Sequence, residues 1–335
     1  MRPLALALAL ALAPLPAAAQ SIWARARVRG AEDVARHRDA ASVDALFADL
    51  PPEALARLMV MFSLDLVEAA ELRPERLRRS ALAHLDAALA LDPDDPRTLA
   101  LAANLYERGG DHARGLRLAD RALLVAPASP DLADVLFTRA LATLHLGRYE
   151  EARDAWQRSL SEPLSSRTRA ITLGNLADTL LVLRDVRGAV DAYRGATEAN
   201  PESDLAWLGL GVALDRGGVD PTEALSHATE VASEMAGGRG RGTPFQAEAL
   251  IDSLERPEVF FEPTCERHYH TALAWEAVAR EYAPGGRSLT NEPHARELRA
   301  AALTAWRAYL RETAPDDPWR PRAELHVRTL EALTR

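Results

Sequence analysis

An alanine- and leucine-rich segment at helical spacing, stopped by a proline, recurs along this chain, and that recurrence constrains the fold more than any other feature. Residues 77–91 place Ala81, Leu82, Leu85, Ala88 and Leu89 on one face and end at Leu91-Asp92-Pro93. Equivalent endings stand at Ala126-Pro127 and Asn200-Pro201. Pro93 and Pro127 are 34 residues apart, which is room for one helix-turn-helix unit. A hairpin of two such helices cannot bury its apolar face alone, so units at this period must stack.

Composition supports helices throughout. Hydrophobic residues make up 48% of the 335, while aromatics reach only 5%. Ala, Leu, Arg and Glu are strong helix formers, so the chain reads as all-α with thin Ala-Leu seams. It carries 49 acidic against 40 basic residues, a net charge of −9, which argues against nucleic acid as the main partner. Every basic residue is Arg. The absence of Lys excludes a Schiff-base lysine and a phosphate loop ending in Gly-Lys-Ser/Thr. A single cysteine, Cys265, excludes an intrachain disulfide and a paired-Cys zinc motif.

Residues 1–19 have the three-part plan of a secretory signal peptide: basic Arg2, an apolar run from Leu4 to Ala13, then Ala17-Ala18-Ala19 before the cut. No Cys follows the run, so lipid anchoring is not expected, and no other stretch is apolar enough to span a bilayer. The expectation is an exported protein, soluble after cleavage, in a bacterial periplasm. Beyond it, residues 20–52 are irregular and 53–93 form a divergent helical hairpin. Residues 94–235 hold the repeats, 236–243 are a Gly/Arg loop that breaks them, and 244–335 are again helical. Pro315-Asp316-Asp317-Pro318 repeats the Pro93-Asp94-Asp95-Pro96 junction letter for letter.

Within the array four units can be followed. The first has Asp95 as N-cap and Pro96 at the first helical position, then Leu99, Ala102, Ala103 and Tyr106, a Gly109-Gly110 turn, and Gly115, Ala119 and Ala122. The second carries Gly147-Arg148-Tyr149-Glu150-Glu151-Ala152 and Trp156. The third has Leu173, Leu176, Ala177, Leu180, Ala189, Tyr193 and Ala196. The fourth opens Trp207-Leu208-Gly209-Leu210-Gly211-Val212-Ala213-Leu214, with Leu214 where the repeat usually has Tyr. In period and in these residues the chain resembles the tetratricopeptide repeat (TPR) family. The resemblance implies a right-handed solenoid of αα-hairpins, a TPR-like superhelix, with divergent hairpins at both ends.

The resemblance also implies a non-catalytic scaffold that takes a partner peptide or helix in a concave groove lined by the first helix of each hairpin. Carried over, those positions are Arg97, Ala100, Asn104, Glu107 and Arg108 in unit one, and Phe137, Leu141, Leu144 and His145 in unit two. Units three and four supply Gly174, Asn175, Asp178 and Leu181, then Leu205, Leu208, Val212, Asp215 and Arg216. The groove reads as apolar in its middle with polar ends, which suits an amphipathic helix. A helix from the chain's own C-terminal region would fit equally well.

Chemistry is sparse. Cys265, His268 and His270, beside Glu262 and Glu266, are the candidates for metal or thiol work. On a helix Cys265 and His268 share a face, but His270 points away, so packing explains them as well as ligation does. No cofactor is expected. Three readings follow: a cell-envelope scaffold binding another protein, a metal-binding or enzymatic protein with its site around Cys265 and His268, and a self-assembling structural protein.

Overall fold

The computed structural model describes residue 60 and residues 74–129, 131–237, 246–256, 259–288 and 290–334. The expected signal peptide at 1–19, the segment expected to be irregular at 20–52 and, apart from residue 60, the expected first helix at 53–73 lie outside the described residues. Of the loop expected at 236–243, residues 236 and 237 end a helix and 238–243 lie outside the described residues. Among the described residues there are thirteen helices and no strand. They are α1 (Pro74–Leu91), α2 (Pro96–Arg108), α3 (His112–Val125), α4 (Leu132–His145), α5 (Tyr149–Leu160), α6 (Ser166–Val182), α7 (Val186–Ala199), α8 (Asp204–Arg216), α9 (Thr222–Gly237), α10 (Ala249–Leu254), α11 (Glu266–Glu281), α12 (Glu292–Glu312) and α13 (Arg320–Thr334).

Local chemistry sets the helix starts. Asp95 caps α2 by accepting from the Thr98 backbone N–H, with Pro96 as the first helical residue. Asp111, Ser165, Asp185, Ser203 and Asn291 do the same for α3, α6, α7, α8 and α12. Each satisfies a donor that the first turn leaves without a backbone acceptor. Between α2 and α3 the chain reverses at Gly110, whose φ of +87° lies where side chains with a Cβ are disfavoured.

The chain divides into two compact units between Leu146 and Gly147. The division falls inside the repeat array, not at the Gly/Arg loop. In the first unit, α1 packs on α2, α2 on α3 and α3 on α4, and α2 also touches α4. A seam of Leu99, Ala103, Ala119, Ala122 and Val135 forms its core. Tyr106 reaches back to α1, where its hydroxyl donates to Asp86 at 2.6 Å. Arg114 of α3 lies 4.0 Å over that ring and donates to the same carboxylate.

In the second unit α6–α7, α8–α9 and α11–α12 are hairpins, and α6 also packs on α8. Small residues permit the close approaches. A Cβ on Gly209 would lie 2.2 Å from the Tyr193 ring, and one on Gly211 2.5 Å from a methyl of Leu225. The Leu-Gly-x-Gly run of the fourth unit is therefore a docking face for α7 and α9. The C-terminal helices join the same body, with α10 and α11 packing on α8 and α9. That packing explains why the unit boundary does not coincide with the loop.

Candidate functional site

The first helices of units one and two, α2 and α4, border a cleft of about 370 Å³. Arg97, Ala100, Leu101 and Asn104 line it from α2; Asp134, Phe137 and Thr138 line it from α4, with Asp131 just before that helix. Residues 97, 100/101 and 104 fall on successive turns of one helix face, as do 134, 137/138 and 141 on the other. Arg97 and the two Asp residues stand toward the N-terminal ends of their helices, and Phe137 and Leu101 supply the apolar middle. The Asn104 amide reaches Thr138 Oγ1 only at 3.5 Å, so its donors and its acceptor oxygen can turn to a ligand's backbone.

Of the residues expected in a groove, Arg97, Ala100, Asn104 and Phe137 come together here. The cleft is more polar than expected, since five of its eight lining residues carry charged, amide or hydroxyl groups. Leu101, Asp131, Asp134 and Thr138 were not singled out from the sequence. Asp134 and Thr138 were legible as one turn before and one residue beyond Phe137 on the same face. Leu141 is partly buried and Arg108 exposed. Leu144 is buried among the core residues, because in its register it faces the interior of the hairpin stack.

The second unit arranges these positions differently. Leu208 and Val212 are 1% and 0% exposed, since α8 is packed by α6, α7, α9, α10 and α11. They are core residues and line no groove. Asp178 accepts a hydrogen bond from the Tyr193 hydroxyl. Burial raises its carboxyl above the usual range, against the opposing charge of His270 and the bond from Tyr193. Asn175 and Leu205 remain partly exposed. Asp215 and Arg216 are consumed internally. Asp215 accepts from Tyr269 Oη (2.6 Å), from Arg322 Nε and Nη2 (2.8 and 2.6 Å), and pairs with His326 Nε2 (3.1 Å). Arg216 pairs with Glu266 at 2.5 Å and lies over the Tyr269 ring. Here the chain's own C-terminal helices cover the face of α8.

That cover carries a pH signature. Burial opposes a proton on His326, but hydrogen bonds to Asp215 and to Glu276 (2.8 Å) raise it to about 9. A folded value above the unfolded one means that its contribution is complete below about pH 6.5 and is lost as pH rises toward 9. The full loss is on the order of 3 kcal/mol. Urea midpoints are expected to fall from pH 6.5 to 9 in the wild type, with the slope removed in His326→Gln. A wild-type midpoint that is flat over this interval would contradict the arrangement.

The residues around Cys265 diverge. His268 Nε2 pairs with Glu312 at 3.0 Å. His270 is buried, with Nδ1 against the Glu266 carbonyl at 3.0 Å and its ring against Phe261. Burial and then Glu266 push the Cys265 thiol up, away from the thiolate that ligation or nucleophilic attack requires. A different trio, Glu107, His112 and His145, brings three ligand atoms within 4.8 Å of one another. No helix among the described residues is long and apolar enough to cross a membrane.

Residues 100–163 and 175–233 match the tetratricopeptide repeat family model. A comparison with curated proteins finds no match. Among solved structures the chain is similar to MamA from Desulfovibrio magneticus RS-1, with 16% identity over 54% of this chain and 98% of that one and a TM-score of 0.45. It is also similar to YrrB, described as a TPR protein with an unusual peptide-binding site (16% identity, 64% and 98% covered, TM-score 0.47). A third is PilF of Pseudomonas aeruginosa (14% identity, 84% and 99% covered, TM-score 0.48). Residues 100–163 and 175–233 are thus tetratricopeptide repeats, and the first of these stretches carries every lining residue of the α2/α4 cleft but Arg97.

Proposed function

We propose that the protein is a non-catalytic scaffold that binds another protein through the cleft between α2 and α4. The observation that carries this reading is the cleft itself, formed by the first helices of two adjacent repeats, where solenoid repeats present their binding surfaces. Phe137 and Leu101 offer an apolar seat, Asn104 an amide for a peptide backbone, and Arg97 with Asp131 and Asp134 a charged mouth. That pattern suits a peptide segment or amphipathic helix with one apolar anchor flanked by polar groups. The start of the sequence supports export, and we place the partner in the cell envelope.

The test is photo-crosslinking of the full chain in an envelope extract, with a photoreactive residue at Leu101. Leu208 would be a poor position because it is buried. A discrete heteromeric product is expected, and Phe137→Glu should reduce it at least about tenfold, since a buried charge facing an apolar anchor costs more than 1.4 kcal/mol. A product unaffected by Phe137→Glu, or crosslinks only within the chain, would refute the proposal.

A further inference from the structure

We propose that Glu107, His112 and His145 form a binding site for a divalent transition-metal ion. The three residues come from separate elements: Glu107 from the last turn of α2, His112 from the first position of α3 and His145 from the last position of α4. The fold holds them close. Gly115 lets α3 press against α2 at this level, where a Cβ would stand 3.0–3.2 Å from the Ala103 carbonyl oxygen and from the Glu107 backbone nitrogen and Cβ. The Gly110 turn then brings His112 back beside Glu107.

The geometry suits coordination. Glu107 Oε1 lies 2.9 Å from His145 Nδ1 and 3.4 Å from His112 Nδ1. Ligands held at roughly 2.0–2.2 Å around one ion stand about 3.0–3.5 Å apart at octahedral to tetrahedral angles. The imidazole rings lie face to face, with centroids 4.2 Å apart and planes inclined by 26°. Both Nδ1 atoms therefore reach the same carboxylate oxygen from one side. His112 Nδ1 is buried and makes no hydrogen bond, and so presents a lone pair to the cluster. Glu107 is 4% exposed, and a carboxylate so far from water needs a counter-charge. One dication accepts the imidazole lone pairs and neutralises the carboxylate together.

Two imidazoles and one carboxylate favour zinc, cobalt or nickel over magnesium or calcium, which prefer all-oxygen shells. The histidines are partly exposed, so the remaining coordination positions open to solvent. This site is separate from the cleft reading and stands whether or not the cleft binds a partner.

The test uses the purified full chain, stripped with a chelator and titrated with Co²⁺ and Zn²⁺. One ion per chain is expected, with visible d–d absorption from bound Co²⁺, no thiolate-to-cobalt band, and no change in Cys265→Ser. His145→Ala and Glu107→Gln should each weaken binding by about 100-fold or more, because losing groups that merely orient ligands already costs roughly 10–100-fold. Should either variant lose its helical circular dichroism, His112→Gln, on a partly exposed residue, gives the same reading. No Co²⁺ binding, binding unchanged by these substitutions, or a thiolate band lost in Cys265→Ser would each overturn the proposal.

Discussion

Replacing Asp215 with alanine is expected to destabilise the 147–335 unit by about 3–5 kcal/mol, the usual consequence of removing one partner from a buried charge network. The Asp215 side chain is 0% exposed. Burial alone would raise its carboxyl, but hydrogen bonds from His326, Arg322 and Tyr269 outweigh it and hold the group at about 2. The alanine leaves the Tyr269 hydroxyl and the Arg322 guanidinium without their carboxylate, and His326 keeps only Glu276, at 2.8 Å. Desolvated donors without acceptors cost more than the hydrogen bonds contributed when made.

Asp215→Asn separates charge from shape. It keeps an acceptor oxygen for one donor but cannot balance Arg322 and a protonated His326, so its loss should fall between wild type and alanine. Urea unfolding followed by far-ultraviolet circular dichroism measures both. Hydrogen exchange adds the location: α13, tied to α8 through Arg322 and His326, should lose protection first. A midpoint for Asp215→Ala within about 0.5 kcal/mol of wild type, the range of an ordinary surface change, would mean that the network does not hold α13 in place.

Asp215 also shows where sequence reasoning stops. As a last-turn residue of a first helix it reads as a groove position, but in the structure it faces Tyr269, Arg322 and His326. The sequence could not supply what covers it, because Tyr269, Arg322 and His326 lie 54, 107 and 111 residues away. The repeat period predicts contacts with the next hairpin, not with helices beyond a break in the pattern. Leu208 and Val212 became core residues for the same reason.

Local signals were more legible. Asp95-Pro96 set the start of α2, and Gly109-Gly110 set its end. His268 and His270 part on α11, His268 pairing with Glu312 and His270 lying against Phe261. The Glu107, His112 and His145 cluster was half visible. Glu107 and His145 are last-turn residues of consecutive first helices, but His112 opens a second helix, outside the positions that the family pattern assigns to the groove.

Trp156→Ala is expected to cost about 3–5 kcal/mol, as large-to-small changes at fully buried aromatics do, whereas Trp207→Ala should cost no more than about 1 kcal/mol. The sequence gives the two tryptophans similar weight, and Trp207 is the one that matches the family's opening motif. The structure reverses that order. Trp156 is 0% exposed, and its indole N–H donates to Thr179 Oγ1 at 3.2 Å, so it ties α5 to α6. Trp207 is only partly buried: its N–H bonds the Pro201 carbonyl six residues back, and its ring lies against His227. Its removal exposes a local contact and opens no cavity. Trp156→Phe distinguishes packing from hydrogen bonding. It retains most of the ring, and Thr179 Oγ1 keeps its own bond to the Asn175 carbonyl at 2.7 Å, so a loss of about 1 kcal/mol is expected. Chemical denaturation of the three variants tests the ranking. Equal losses for Trp156→Ala and Trp207→Ala would show that the motif position, not burial between α5 and α6, governs how this repeat is held.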